Sequence, residues 1–334
     1  MSGDDGAHGL RRTLLRTLEA ALPAPPERWA LLPVPLHGNV GDSAILLGTL
    51  EALEALGWPP PTVMADVASF DPAGVSRRIG AGPVVLMGGG HFGDLWPAEH
   101  AVRIRALREL RDHPVVQLPQ SAHFTRRGTE EETARALEGH PAVTLMIRDR
   151  PSVAHVRERL GLEGVLCPDM AFGLGPLERP RPRSDVLRLL RQDREAGPDV
   201  PGAKARAAGV DWVTDAPSWR LAAERRLRDL GLRRRALRPL ADRARSGLQR
   251  GLASERLRRG TALLGSARVV ISNRLHGHVL SVLLGIPHVA VDDAHGKIAG
   301  FVDSWTVDVA GVHLCATLAE AEVVAASLRT EAVG

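Results

Sequence analysis

The sequence predicts an α/β protein made of parallel sheets in two domains. Short apolar, β-branched runs alternate with helically spaced segments along most of the chain. The runs end in polar stretches that lead toward helices, the order expected when strands run parallel and helices cover both faces. A length of 334 residues exceeds one ordinary core and suits two of similar size. The stretch 173–183 carries Gly, Pro and Arg without periodicity. It sets the boundary between an N-terminal domain, 1–175, and a C-terminal domain, 176–334.

In chain order, 10–22 has helical apolar spacing and stops at Pro23, Pro25 and Pro26, and 29–35 reads as a strand. His37-Gly38-Asn39-Val40-Gly41-Asp42-Ser43 is a glycine-bearing loop opening a helix over 44–56, with Asp42 or Ser43 as its N-cap. The loop has neither the Walker lysine nor the dinucleotide glycine pattern. Strands follow at 62–67 and 83–87. The second runs into Gly88-Gly89-Gly90-His91-Phe92-Gly93-Asp94, where three glycines imply that a Cβ would meet a ligand or the other domain. Asp94 is the carboxylate of this loop. Strands at 115–118, 143–147 and 165–167 end in Gln120-Ser121, Arg148-Asp149 and Pro168-Asp169, and helices are expected over 129–138 and 151–160. On that geometry Asp42, Asp94, Arg148 and Asp169 gather along one sheet edge.

The second domain restarts with a strand at 185–190, ending in Arg191-Gln192-Asp193-Arg194-Glu195, and another at 210–214. An Arg-rich helical region spans 220–259. Its plain reading is a solvated helix face. The sharper one is an electropositive face holding an anionic acceptor or resting on an anionic lipid surface. A buried strand over 268–272 then meets Asn273-Arg274-Leu275-His276-Gly277, a helix over 278–284 and a strand over 287–291. Arg274 and His276 therefore sit where a parallel strand gives way to a helix. Free N–H groups and the positive dipole end point outward there, and a guanidinium beside an imidazole makes a receptor for phosphate or carboxylate.

Composition narrows the function. Hydrophobic residues at 44% and charged residues at 25% are those of a globular chain, and 43 basic against 39 acidic residues leave +4. Aromatics are 3% with no tyrosine, so platforms for stacking bases are scarce and no nucleic-acid partner is expected. Lys204 and Lys297 are the two lysines, which makes Lys297 in His295-Gly296-Lys297 informative. Cys167 and Cys315 imply neither a disulfide nor a metal framework. His276 and His278 lie too close for a helical metal pair, so no metal is expected, and His278 reads as capping or packing. The N-terminus lacks the apolar core of a signal peptide and no stretch reaches spanning length. A cytoplasmic protein follows, with membrane contact limited to the periphery of the inner face.

The motifs GNVGD (38–42), GGGHFGD (88–94), QLPQS (117–121), RDRPS (148–152), PDMAF (168–172), SNRLHG (272–277) and HGK (295–297), in that order, resemble the polysaccharide pyruvyl transferase family. The resemblance spans roughly 31–305, with 176–265 contributing little. It implies two Rossmann-like domains facing across a cleft, as in the GT-B glycosyltransferases. The N-terminal domain would take the acceptor and the C-terminal one the donor, phosphoenolpyruvate. A sugar of a polysaccharide, oligosaccharide or lipid-linked glycan would be the acceptor. The product would be a cyclic pyruvate ketal with release of phosphate, and no cofactor is implied.

The family's Arg-Leu-His falls on Arg274, Leu275 and His276, its aspartate after the glycines on Asp94, and the arginine of its Arg-Asp/Glu motif on Arg148. The implied roles are catalysis by His276, Arg274 and Asp94, with Asp94 as base. The donor would be bound by Arg148, Arg274, Leu275, His276 and Lys297. Asn39, Asp42, Gly89, Gly90, His91 and Asp169 are candidates on the acceptor side. His91 replaces the Asn more common among relatives, and His295 replaces a Tyr. A GT-B glycosyltransferase using a nucleotide sugar is the alternative, although Glu320 and Glu322 are poorly placed to bind ribose hydroxyls. A non-catalytic glycan- or phosphometabolite-binding member is the third class.

Overall fold

A computed structural model describes residues 3–191, 209–213, 218–233, 237–293 and 296–331. Seven strands form the first sheet: β1 Ala30–Leu32, β2 Val63–Met64, β3 Val84–Leu86, β4 Gly89–Gly93, β5 Val115–His123, β6 Val143–Ile147 and β7 Val165–Leu166. Their order is β2-β1-β3-β5-β6-β7, with β4 pairing beside β5. Four more, β8 Ser184–Leu189, β9 Ala267–Ser272, β10 His288–Val291 and β11 Val312–Cys315, form a second sheet in the order β11-β10-β9-β8. Every pairing is parallel. All carboxyl ends of a sheet therefore point to one edge, where functional groups collect.

The helices of the first part are α1 Gly3–Ala21, α2 Val40–Ala55, α3 Pro72–Ile79, α4 Pro97–Glu109, α5 Arg127–Glu138 and α6 Arg150–Leu160. Those of the second are α7 Trp219–Arg233, α8 Arg238–Gly265, α9 Leu275–Leu283, α10 Lys297–Trp305 and α11 Leu318–Glu331. Leu46, Leu50 and Leu53 do share a buried face of α2, but Ala44, Ile45, Leu47 and Thr49 are buried as well. A helix apolar all round belongs inside a core. One hydrophobic cluster accordingly joins Leu31, Val85 and Val116 of the first sheet to Val270 and Ala290 of the second, with α1, α2 and α9 between. Each Leu or Val so buried contributes roughly 1.5–3 kcal/mol. Within the described residues, no helix is long and apolar enough to cross a membrane.

Several elements depart from the sequence reading. Helix α2 starts at Val40 because Asn39, not Asp42 or Ser43, is the N-cap, its side chain accepting the Gly41 N–H at 3.0 Å. The triple-glycine stretch continues as a strand, since β5 runs on to His123 and offers β4 a partner. In place of a strand at 210–214 there is one bridge, Val210 to Leu189, and Thr214 lies outside the described residues. Gln192, Asp193, Arg194, Glu195, Lys204 and His295 also lie outside them. The Arg-rich region is helical as expected, its described residues forming α7 and α8.

His278 packs rather than caps. Its Nδ1 lies 2.7 Å from His288 Nε2 and its Nε2 accepts from Thr306 Oγ1 at 3.0 Å, while His288 Nδ1 donates to the Ile286 carbonyl at 2.8 Å. Both rings are therefore neutral with fixed tautomers. Burial lowers His288 to about 4, and burial with the neighbouring His288 and His276 holds His278 well below its ordinary range. The unfolded chain binds protons near the ordinary value of 6.5, whereas the folded one refuses them until about 4. Stability is thus full above about 6.5 and falls as pH drops from there toward 4, by roughly 3 kcal/mol for His288 alone. Thermal melts across that interval are expected to show the loss, with His288→Gln removing part of the slope.

Candidate active site between the two sheets

The carboxyl edges of the two sheets enclose a cavity of about 630 Å³. The first sheet supplies loops after β1, β2, β3 and β6; the second supplies residues after β8, β9 and β10. Among the described residues, five cations line it: Arg148 from the first sheet, and Arg191, Arg228, Arg274 and Lys297 from the second part. Four carboxylates, Asp42, Asp66, Glu99 and Asp293, also reach it. An anionic ligand would meet arginine from both sides.

His276 is the second residue of α9, in the turn where β9 gives way to the helix. Its Nε2 faces Asp169 Oδ2 at 3.6 Å. That same oxygen accepts from Arg148 Nη1 at 2.7 Å, and the other accepts from the Ala171 N–H at 2.9 Å, capping the short 3-10 turn Met170–Leu174. Burial on its own would raise Asp169; His276, Arg148 and the Ala171 N–H outweigh it and hold the carboxyl well below its ordinary range. Asp169 is thus an anion beneath the imidazole. Arg148 Nε donates to Ser121 Oγ at 2.8 Å, which fixes the guanidinium. Asp149, the next residue, caps α6 and binds the same serine at 2.5 Å.

Gly41 explains why GNVGD needs its second glycine. A Cβ there would lie 2.5 Å from His276 Nδ1, so a side chain cannot coexist with this imidazole position. The other glycines are explained within the first part: Cβ atoms on Gly88, Gly89 and Gly90 would meet the Pro119 carbonyl, Ile45 and Arg148 Nη2. The second sheet is not the obstacle at those three. Gly90 lines the cavity and Gly89 does not.

Arg274 is nearly buried and ion-paired to Asp211, Nη2 to Oδ2, at 2.6 Å. Leu275 and Lys297 line the same wall. Opposite, Asn39 Nδ2 donates to Asp42 Oδ2 at 2.7 Å, and His37 Nε2 lies 3.6 Å from that oxygen. His91 lines the cavity as a neutral ring: Arg103 Nη2 donates to its Nδ1 at 3.1 Å, and burial, then Arg103 and Arg148, keep its pKa well below the ordinary value.

Asp94 does not join them. Its carboxylate is absent from the cavity wall and accepts from Thr125 N, Thr125 Oγ1 and Arg126 N at 2.8–3.1 Å, stapling the start of α5. The cavity instead contains His37, Arg191 and Arg228, which were not among the expected site residues. Arg191 carried the signal of a charged residue after a strand; Arg228 was one arginine among many. Glu322 pairs with Arg188 at 2.5 and 2.7 Å, and Glu320 accepts from Ala316 and Thr317 at the start of its own helix, so neither faces the cavity.

The pattern of the polysaccharide pyruvyl transferase family matches residues 39–295, which contain GNVGD from its asparagine onward, the glycine triplet and Arg-Leu-His. The chain belongs to this family. It is 30% identical over 299 residues to pyruvyl transferase 1 of Schizosaccharomyces pombe, covering 83% of this chain and 69% of that one. It is 28% identical over 294 residues to EpsO of Bacillus subtilis, named provisionally as a pyruvyl transferase, covering 84% and 86%. An uncharacterized protein of Klebsiella pneumoniae has a similar fold, with a TM-score of 0.59 at 14% identity over 92% of this chain and 99% of that one. The chain is therefore a transferase of the pyruvyl transferase family.

Gly41→Ala tests the His276 seat. The intruding methyl is expected to cost about 1–3 kcal/mol of stability and to lower transferase turnover by more than the loss of folded protein explains. Paired thermal melts and rate measurements at a temperature where both proteins are folded will separate the two effects.

Proposed function

We propose that the protein transfers the pyruvyl group of phosphoenolpyruvate to two hydroxyls of one sugar in a glycan, forming a cyclic ketal and releasing phosphate. The observation that carries this reading is His276, seated on Gly41 and backed by anionic Asp169, at the wall of a cavity with cations from both sheets. On this reading 1–175 and 176–334 act as two domains in a GT-B-like arrangement, acceptor on the first and donor on the second. The reaction proceeds in the cytoplasm, and no cofactor takes part.

The donor has a phosphate and a carboxylate on one small framework. Arg274 and Lys297 bind these anions in this reading, joined by Arg191 and Arg228, with Leu275 against the methylene. Each charge-assisted hydrogen bond contributes roughly 1.5–3 kcal/mol. His276 gives its proton to the methylene carbon, turning the enol carbon into an oxocarbenium-like centre. One sugar hydroxyl adds to that centre. As the C–O bond to phosphate breaks, the second hydroxyl adds to the same carbon and closes the ring, and its proton passes through the now neutral imidazole to the departing phosphate. Asp169 stabilises the imidazolium, and Arg148 keeps Asp169 ionised and in place.

The hydroxyl proton needs a base. Asp42, with His37 beside it, takes this role here, because Asp42 lies on the cavity wall while Asp94 is consumed by Thr125 and Arg126. Asn39, Gly90 and His91 border the acceptor side. His91, kept neutral by Arg103, contributes shape and hydrogen bonding rather than proton transfer.

Phosphate release and the mass of the acceptor, measured with phosphoenolpyruvate and a panel of oligosaccharides, test the reading. His276→Ala should cut turnover on the order of a hundredfold to ten-thousandfold. Asp42→Asn should fall comparably and Asp94→Asn within a few fold. Near-normal turnover in His276→Ala would falsify the catalytic assignment, and equal losses in Asp42→Asn and Asp94→Asn would remove Asp42 as the specific base.

A further inference from the structure

Helices α7 and α8 form a hairpin whose inner and outer faces differ in charge. On the inner side Arg245, buried, binds Glu224 at 2.7 Å and Asp66 at 2.5 Å. Asp242 pairs with both Arg78 and Arg245, and Glu255 with Arg220. Farther along α8, Arg256 and Arg259 donate to the Leu36 and Gly38 carbonyls at the cavity rim. Among the described residues of the hairpin, three of its four carboxylates are spent on these pairs, and the exposed Asp229 lies 3.6 Å from Arg228 Nε.

The outer side keeps the arginines that have no such partner within the hairpin. Arg225, Arg226, Arg243 and Arg250 are exposed, with Arg250 only 3.8 Å from Glu54 of α2. The same two helices and their junction also expose large apolar side chains: Trp219 at 67% and Leu240 at 71%, with Leu230 and Leu237 at 37%. Water-facing Trp and Leu beside arginine is the composition of a surface that lies in a lipid interface. A groove of about 590 Å³ opens beside Leu240, between Arg243 and Arg250 of α8 and the Trp58-Pro59-Pro60-Pro61 turn. Leu50 and Leu53 line it together with the guanidinium groups of Arg78, Arg243 and Arg250, which outnumber the one carboxylate, Glu54, so it complements a ligand with an anionic head and a hydrocarbon chain.

We infer that this face docks on an anionic lipid surface, with the exposed arginines on headgroup phosphates and the groove receiving a hydrocarbon chain of the same leaflet. The inference goes beyond pyruvyl transfer and stands without it. Its geometric consequence is that one helix joins the membrane to the cavity: Leu240 and Arg256 are about 24 Å apart along α8 at 1.5 Å per residue.

The test is flotation of the full chain with vesicles of phosphatidylglycerol and phosphatidylcholine against vesicles of phosphatidylcholine alone, at low and high salt. The chain should float with the anionic vesicles, less so at high salt. Leu240→Glu and the double change Arg243→Glu, Arg250→Glu should each lower the bound fraction roughly tenfold while the melting temperature and turnover on a soluble acceptor stay unchanged. If either variant unfolds early, Arg225→Glu with Arg226→Glu takes its place and should show the same loss. Equal binding to neutral vesicles, binding that survives these changes, or retention by an acidic polysaccharide with no vesicle binding would each overturn the inference.

Discussion

The buried ion pair between Arg148 and Asp169 is the constraint on which the cavity depends. Two charges removed from water gain little net stability, and a pair of this kind is justified by what it fixes. Here it fixes a carboxylate under an imidazole contributed by the other sheet. Arg148 is held by Ser121, Ser121 by Asp149, and Asp149 by the N-terminus of α6, so the chain of contacts ends in a helix rather than in solvent. Loss of any link would leave a charge buried without compensation, which explains the density of hydrogen bonds around so few residues.

The same fold maintains histidines of opposite character. His276 lies 3.6 Å from the Asp169 carboxylate, open to the cavity. His91, His100, His278 and His288 are surrounded by guanidinium groups, other imidazoles or apolar atoms, and their pKa values are lowered. Environment, more than residue type, separates the ring proposed to react from the structural ones. Arg103 has a comparable structural role: almost wholly buried, it binds Gln117, the His91 carbonyl and His100, and braces the back of the glycine loop.

Much of this was legible in the sequence because apolar β-branched runs report buried parallel strands directly. The strand at 143–147 matches residue for residue, and β8, β9 and β10 agree within one residue at each end. Arg274, His276 and Lys297 could be placed on one edge because each follows a strand or starts a helix. Helix α4 escaped because its buried face carries His100 and Arg103, which mask the apolar period. Asp94 was misplaced for a related reason. A carboxylate after a glycine loop looks the same in sequence whether it turns toward a cavity or caps the next helix, and Thr125 and Arg126, 31 and 32 residues on, decide the matter. The convergence of Asp169 with Arg148 and His276 rests on separations of 21 and 107 positions that no local pattern encodes.

Helix α10 braces the two sheets against each other. Lys297 begins it on the cavity wall, and at its far end Trp305 Nε1 donates to the Arg148 carbonyl at 2.7 Å while Ser304 Oγ accepts the Arg150 N–H at 2.9 Å. It is a strut of about 12 Å from Lys297 to Trp305, footed on the backbone that carries Arg148. Two cations from different sheets are thereby set at a span that hinging cannot easily change. The gap between the sheets is held to a set width where this helix spans it, so that size filters what reaches Arg148 and Lys297.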